Sequence, residues 1–206
     1  QVVITSGSGD MDGAKKRARE IVEKNENCIE LKQFDNPANP EVHRKNTGPE
    51  IVEATGGKIT VFVAGIGTGG TITGVGEVLK AEVPNVKVIG VEPARSAVLN
   101  GKPAGPHAIE GIGAGFIPSI LNQSILDDVL MIEDREAFDM TEALAREEAL
   151  LVGISSGANV LAAQRVAESL SPDDVVVTVL CDTGTRYFSI EEYFKKDDVQ
   201  NQSVLL

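Results

Sequence analysis

A glycine-rich septet, Gly65-Ile66-Gly67-Thr68-Gly69-Gly70-Thr71, joins two segments that cannot share one conformation. Residues 59–64 before it are almost wholly apolar and rich in β-branched side chains, the composition of a strand buried on both faces. Residues 71–80 after it carry Ile72, Val75, Val78 and Leu79 at helical spacing. A second strand-like run, 86–91, follows. Strand, glycine turn, helix and strand make one βαβ unit, so the two strands should be parallel and the crossover right-handed.

The rest of the chain repeats that alternation. Residues 2–5 form a short β-branched run, and 11–24 fit a helix with Met11, Ala14, Ala18, Ile21 and Val22 on one face. Residues 28–34 look extended. Asn36-Pro37-Ala38-Asn39-Pro40 is a turn signal, with short helices starting near Pro40 and Pro49. Residues 94–124 are irregular and rich in glycine and proline, the composition of an ordered functional loop or a lid. Residues 128–132 read as a strand. Asp134 is placed to cap a helix running to about residue 151, which Gly153 should end. Another helix starts at Ser155 and stops near residue 170, a buried strand fills 175–180, and a last helix begins near Ile190. The expected fold is α/β: an open, mostly parallel twisted sheet with helices on both faces and ligands bound at the carboxyl ends of its strands.

Net charge of -12 argues against nucleic acid and anionic membrane as partners, and no apolar run is long enough to span a bilayer. Two cysteines, Cys28 and Cys181, make no disulfide framework and suit a reducing, cytoplasmic compartment. His43 and His107 are isolated, so no metal site is expected.

Three loops follow strands. In the first, glycines let backbone N–H groups approach an anion, the next helix adds its positive end, and Thr68 and Thr71 add hydroxyls: phosphate chemistry. The same loop fits a dinucleotide fingerprint through Gly65, Gly67 and Gly70, with Glu92 as the acidic residue, so a nicotinamide or flavin enzyme is the rival on this pattern. The second, Cys181-Asp182-Thr183-Gly184-Thr185-Arg186-Tyr187, offers hydroxyls to a heteroaromatic nitrogen, or simply a polar turn that caps a helix. The third, residues 109–118, has glycines at alternate positions and reads as a backbone able to move or lie against a ligand.

Taken in order along the chain, these segments resemble the cysteine synthase (O-acetylserine sulfhydrylase) family of fold-type-II pyridoxal-phosphate enzymes. The motifs are Asn36–Pro40 with Thr47-Gly48-Pro49-Glu50-Ile51; Gly67–Thr71; Val91-Glu92-Pro93; Gly105-Pro106-His107 leading to Gly111-Ile112-Gly113-Ala114-Gly115-Phe116-Ile117-Pro118; Gly153-Ile154-Ser155-Ser156-Gly157-Ala158; and Gly184–Tyr187. The resemblance implies that Gly67, Thr68, Gly69, Gly70 and Thr71 hold the phosphate of pyridoxal 5′-phosphate and that Thr183 bonds its ring nitrogen, with Asp182 adjacent as the other candidate. It implies that Gln33 binds the substrate carboxylate, that Gly111 contacts the amino-acid end, and that Met11 lines the cleft.

It further implies β-replacement on O-acetyl-L-serine by sulfide, a homodimeric parent, and docking of the C-terminal tail of serine acetyltransferase. Residues 1–35 would be a remnant of the small substrate domain, and 36–206 the large cofactor-binding domain. The lysine that holds the cofactor in the family has no counterpart motif here and is expected upstream of Gln1, leaving this chain inactive alone. Cys181, Asp182 and Thr185 depart from the residues common in the family.

Overall fold

A computed structural model of the chain describes residues 2–5 and 10–187. Its centre is a four-stranded sheet of order β3-β2-β1-β4, parallel throughout: β1 (Ile59–Gly65), β2 (Lys87–Pro93), β3 (Asp128–Ile132) and β4 (Val175–Thr178). Six α-helices accompany it: α1 (Asp10–Lys24), α2 (Ala38–Val42), α3 (Gly48–Thr55), α4 (Gly70–Glu82), α5 (Asp134–Glu147) and α6 (Ile154–Ala167).

Both faces of β1 are covered, which is why residues 59–64 carry no polar alternation. Val61 and Val63 point into one core with Ala137 and Phe138 of α5 and Ile154, Ala158 and Ala162 of α6. Phe62 and Ala64 point the other way, into a second core with Ile72, Val75 and Leu79 of α4. Side chains alternate faces along a strand, so one uninterrupted apolar run feeds two cores.

Glycines on both sides of the contact with α4 serve close packing. A Cβ on Gly74 would lie 2.3 Å from the Pro40 carbonyl oxygen, and one on Gly48 would lie 2.8 Å from Val78 Cβ. These contacts seat the segment 38–55 directly on α4. Within that segment α2 and α3 are joined by a π-helical turn, His43–Thr47, a register change that frequently occurs at functional positions.

Several elements differ from the expectations. The two prolines of residues 36–40 do not prevent a helix at 38. Pro40 falls in the first turn, where an N–H would have no intrahelical partner, and the Asn36 Oδ1 accepts from the Ala38 N–H at 2.9 Å. Helix α5 is capped by Glu133 rather than Asp134, through a reciprocal pair with Glu136. It ends at Glu147, not at 151: Ala149 takes the left-handed conformation (φ 57°), and the Leu150 N–H reaches back to Leu144 O at 3.0 Å. Gly153 instead starts α6. Residues 175–180, expected to be a buried strand, hold the shorter β4 at an edge of the described sheet, where all four residues are half-buried. Residues 2–5 and 28–34 join no strand. The helix expected near Ile190 lies outside the described residues.

Candidate functional site

The carboxyl ends of β1 and β2 open onto a cleft of ≈ 700 Å³. Its walls are the turn after β1 (Gly67, Thr68), the segment 104–107, the glycine loop 110–115, Ser96, and Gln33 with Phe34. Among the described residues no lysine lines it.

The turn after β1 is shaped by two constraints. Gly69 is left-handed at φ 81°, a conformation side chains resist. A Cβ on Gly67 would sit 2.3 Å from the Gly111 carbonyl oxygen, so only glycine lets the turn and the glycine loop touch. Among the described residues, the N–H groups of Gly67, Thr68, Gly69 and Thr71 have no backbone or side-chain acceptor. That of Gly70 donates to Thr68 Oγ1 at 3.2 Å. Unspent amides at the start of a 13-residue helix, α4, concentrate partial positive charge on one spot. The arrangement fits a phosphate group, whose oxygens accept from N–H donors held at a helix N-terminus.

Two residues buttress this cradle that the sequence reading passed over. Asn39 Nδ2 donates to Thr68 Oγ1 at 3.0 Å and to Gln33 O at 2.8 Å, joining the cradle to the opposite wall. With its oxygen so occupied, the Thr68 hydroxyl proton is available to a ligand. His43, on the π-helical turn, meets Thr71 Oγ1 through Nε2 at 3.2 Å and Thr47 Oγ1 through Nδ1 at 2.9 Å. Burial holds its imidazole below the ordinary pKa, favouring the neutral ring. In the sequence Asn39 shows as part of a turn signal and of a family motif with no role attached, and His43 as an isolated histidine. Asn39→Ala is expected to weaken phosphate-ester binding about fivefold, the worth of roughly one hydrogen bond. Equilibrium dialysis against pyridoxal 5′-phosphate reads the change.

The glycine loop is ordered rather than loose. Gly111, Gly113 and Gly115 are all left-handed, at φ 91°, 67° and 81°. Gly113 N–H donates to Ile66 O at 3.0 Å, and the His107 ring meets Gly113 O through Nε2 at 3.0 Å. The glycine loop is thereby pinned to the turn after β1. Of the expected substrate contacts, Gly111 and Gln33 line the cleft. Met11 lies within α1, and its side chain is outside the described residues.

Thr183 does not line the cleft. It follows β4, forms an isolated bridge with Val152, and its Oγ1 accepts from the Thr185 N–H at 3.4 Å. That is the polar-turn role, with the exposed side chain still turned to solvent. Asp182 is committed elsewhere: Tyr187 Oη donates to its Oδ2 at 2.5 Å. Burial, together with that carboxylate, pushes the Tyr187 phenol up to about 12. A raised pKa in the folded state gives stability that is complete below the unfolded value of about 10 and lost as pH climbs toward 12. The thermal midpoint should therefore fall between pH 10 and pH 12, and Tyr187→Phe should flatten that fall. An unchanged slope in the variant would refute the assignment.

Glu92, the acidic residue of the dinucleotide pattern, is 2% exposed. Its carboxylate accepts from the Leu99 and Asn100 N–H groups, each at 3.0 Å, and from Asn100 Nδ2 at 2.7 Å. It is spent on shaping the loop after β2 and has no freedom to hold a ribose.

Comparison with known proteins agrees with this geometry. Residues 1–182 match the family model described as pyridoxal-phosphate dependent enzyme. The cysteine synthase of Staphylococcus aureus is 47% identical over 194 residues, 94% of this chain and 62% of the relative. This chain thus spans less than two thirds of that relative's length. Among solved structures, the O-acetylserine-dependent cystathionine β-synthase of Helicobacter pylori is 41% identical with a TM-score of 0.87, over 91% of this chain and 61% of that one. The cysteine synthase of Entamoeba histolytica is 37% identical with a TM-score of 0.84, over 92% and 56%. No helix of the described residues is long and apolar enough to cross a membrane.

Proposed function

Since the chain belongs to the pyridoxal-phosphate-dependent enzyme family, we propose that it is the cofactor-holding part of a cysteine synthase that replaces the acetoxy group of O-acetyl-L-serine with sulfide. The observation that carries this reading is the set of unspent amides of Gly67, Thr68, Gly69 and Thr71, on a turn closed against Gly111. When bound, pyridoxal phosphate would supply the electron sink for loss of the β-substituent. This chain's residues bind and orient. The amides of Gly67, Thr68, Gly69 and Thr71 with the Thr68 hydroxyl would hold the phosphoryl oxygens, with Gly70 shaping the turn through its bond to Thr68; Gln33 would take the substrate carboxylate, and Gly111 would limit the amino-acid end. The resemblance would give Thr183 to the ring nitrogen, but its side chain stands outside the cleft lining and accepts from the Thr185 N–H, so that contact would need the turn 182–185 to swing inward.

Residues 1–35 belong in this reading to the small substrate domain and 36–206 to the cofactor domain. In this reading the lysine that holds the cofactor lies upstream of Gln1, because no motif for it occurs here and, among the described residues, no lysine lines the cleft. The chain alone should not turn over substrate. For the whole protein the reading extends to a cytoplasmic homodimer whose cleft receives the C-terminal tail of serine acetyltransferase.

The test compares pyridoxal 5′-phosphate with pyridoxal, which lacks the phosphate, by equilibrium dialysis. A preference of at least tenfold for the ester, roughly 1.4 kcal/mol, supports the reading. Equal binding, or none of either, defeats it.

A further inference from the structure

His107 makes one bond with each half of its ring in prospect but only one in fact. Nε2 faces the Gly113 carbonyl at 3.0 Å, so Nε2 carries the proton. In the neutral ring Nδ1 is then an acceptor. It is buried and has no partner. Ser96, 1% exposed, carries the complementary defect: its hydroxyl is buried and unpartnered as well.

The two residues both line the cleft. A Cβ on Gly105 would meet Arg95 O at 2.5 Å, and a Cβ on Gly113 would meet Pro93 Cγ at 2.6 Å and His107 Nε2 at 2.8 Å. The segment 93–96 is thus packed against 105–107 and the glycine loop. A buried donor and a buried acceptor left open on adjoining segments are each costly, and a bond between them would satisfy both.

The wall is also tied to the phosphate turn. Gly113 N–H bonds Ile66 O, and the Gly111 carbonyl lies against Gly67. Whatever settles on residues 67–71 therefore bears on the glycine loop, and through it on His107.

We propose that His107 and Ser96 are positioning residues of the cleft: the ring holds the Gly111–Gly113 wall, and the Ser96 hydroxyl closes onto His107 Nδ1 when the phosphate turn is occupied. This rests on the cofactor reading above. In this proposal neither residue needs to touch the cofactor. They act through the glycine loop, by making the closed wall more favourable than the open one.

The test uses the purified chain and pyridoxal 5′-phosphate. The chain has two histidines, so ¹⁵N-histidine spectra are readily assigned with His107→Gln, which keeps a donor for Gly113 O. On saturation, His107 Nδ1 should move from a free-acceptor to a hydrogen-bonded position, and the Gly113 amide should gain protection from hydrogen exchange. Ser96→Ala should leave the melting temperature without ligand unchanged or raised, because it removes an unpartnered group. It should weaken pyridoxal phosphate binding about fivefold, the worth of the missing bond, and abolish the Nδ1 shift. A Ser96→Ala chain that melts lower but binds as well as the parent would overturn the proposal, as would an unmoved Nδ1 at saturation. Absence of any pyridoxal phosphate binding to the parent chain sinks the cofactor reading itself, and the proposal with it. Binding without the shift sinks only the positioning role.

Discussion

Gly67→Ala will lower the affinity for pyridoxal 5′-phosphate by at least about tenfold, and will destabilise the chain by roughly 1–3 kcal/mol, the usual cost of overpacking. The added methyl would lie 2.3 Å from the Gly111 carbonyl oxygen. That neighbour is backbone, held by a left-handed glycine and by the Gly113–Ile66 bond next to it, so it cannot step aside as a side-chain tip would. Relief requires the glycine loop to lift from the turn, which opens the cleft on the side where the phosphate must be held. Gly13→Ala is the control. It has no atom within 4 Å of the new Cβ and lies inside α1, so it should stabilise by roughly 0.5–1 kcal/mol through lost unfolded-state freedom. Dialysis and thermal melting separate the two. Undiminished binding in Gly67→Ala would remove the cradle from the account.

The second large effect is expected at Glu92→Ala, with a loss on the order of 3 kcal/mol. It combines a cavity at a 2% exposed position with three hydrogen bonds left without an acceptor. For a chain of this length that lowers the melting temperature by roughly 10 °C. Glu92→Gln fits the same space but turns one donor toward donors, so it should fall between. The loop it shapes carries Ser96, so pyridoxal phosphate binding should weaken in both variants. A melting temperature within about 1 °C of the parent in Glu92→Ala would contradict a structural role, since buried partners lost together normally cost more.

Much of the fold was legible because period and burial agree. The run at 59–64 is apolar on both of its faces, and both faces are covered. The strand at Asp128–Ile132 and the helix ending at Lys24 sit where their patterns place them. Boundaries governed by capping were less visible. Asp134 and Gly153 are the residue types that start and stop helices, yet Glu133 caps α5 through Glu136, and Ala149 turns the chain. Local chemistry allowed both outcomes, and the neighbouring turns chose.

The candidate site divides in the same way. The amino-acid order alone pointed to the glycine turn between a strand and a helix as the place for an anion, since four glycines with two threonines there leave few other uses. The ordered motifs likewise determined the family. Only tertiary structure could decide that Asn39 and His43 buttress that turn, that Glu92 is spent on the loop after β2 and so unavailable to a ribose, and that Ser96 and His107 line the same cleft with buried, unpartnered polar atoms. These contacts join residues remote in sequence or hinge on which way a side chain turns, and hydrogen-bond pairing of that kind has no periodic signature. Spacing along the chain reports which face a residue occupies; only packing in three dimensions settles which partner it meets there.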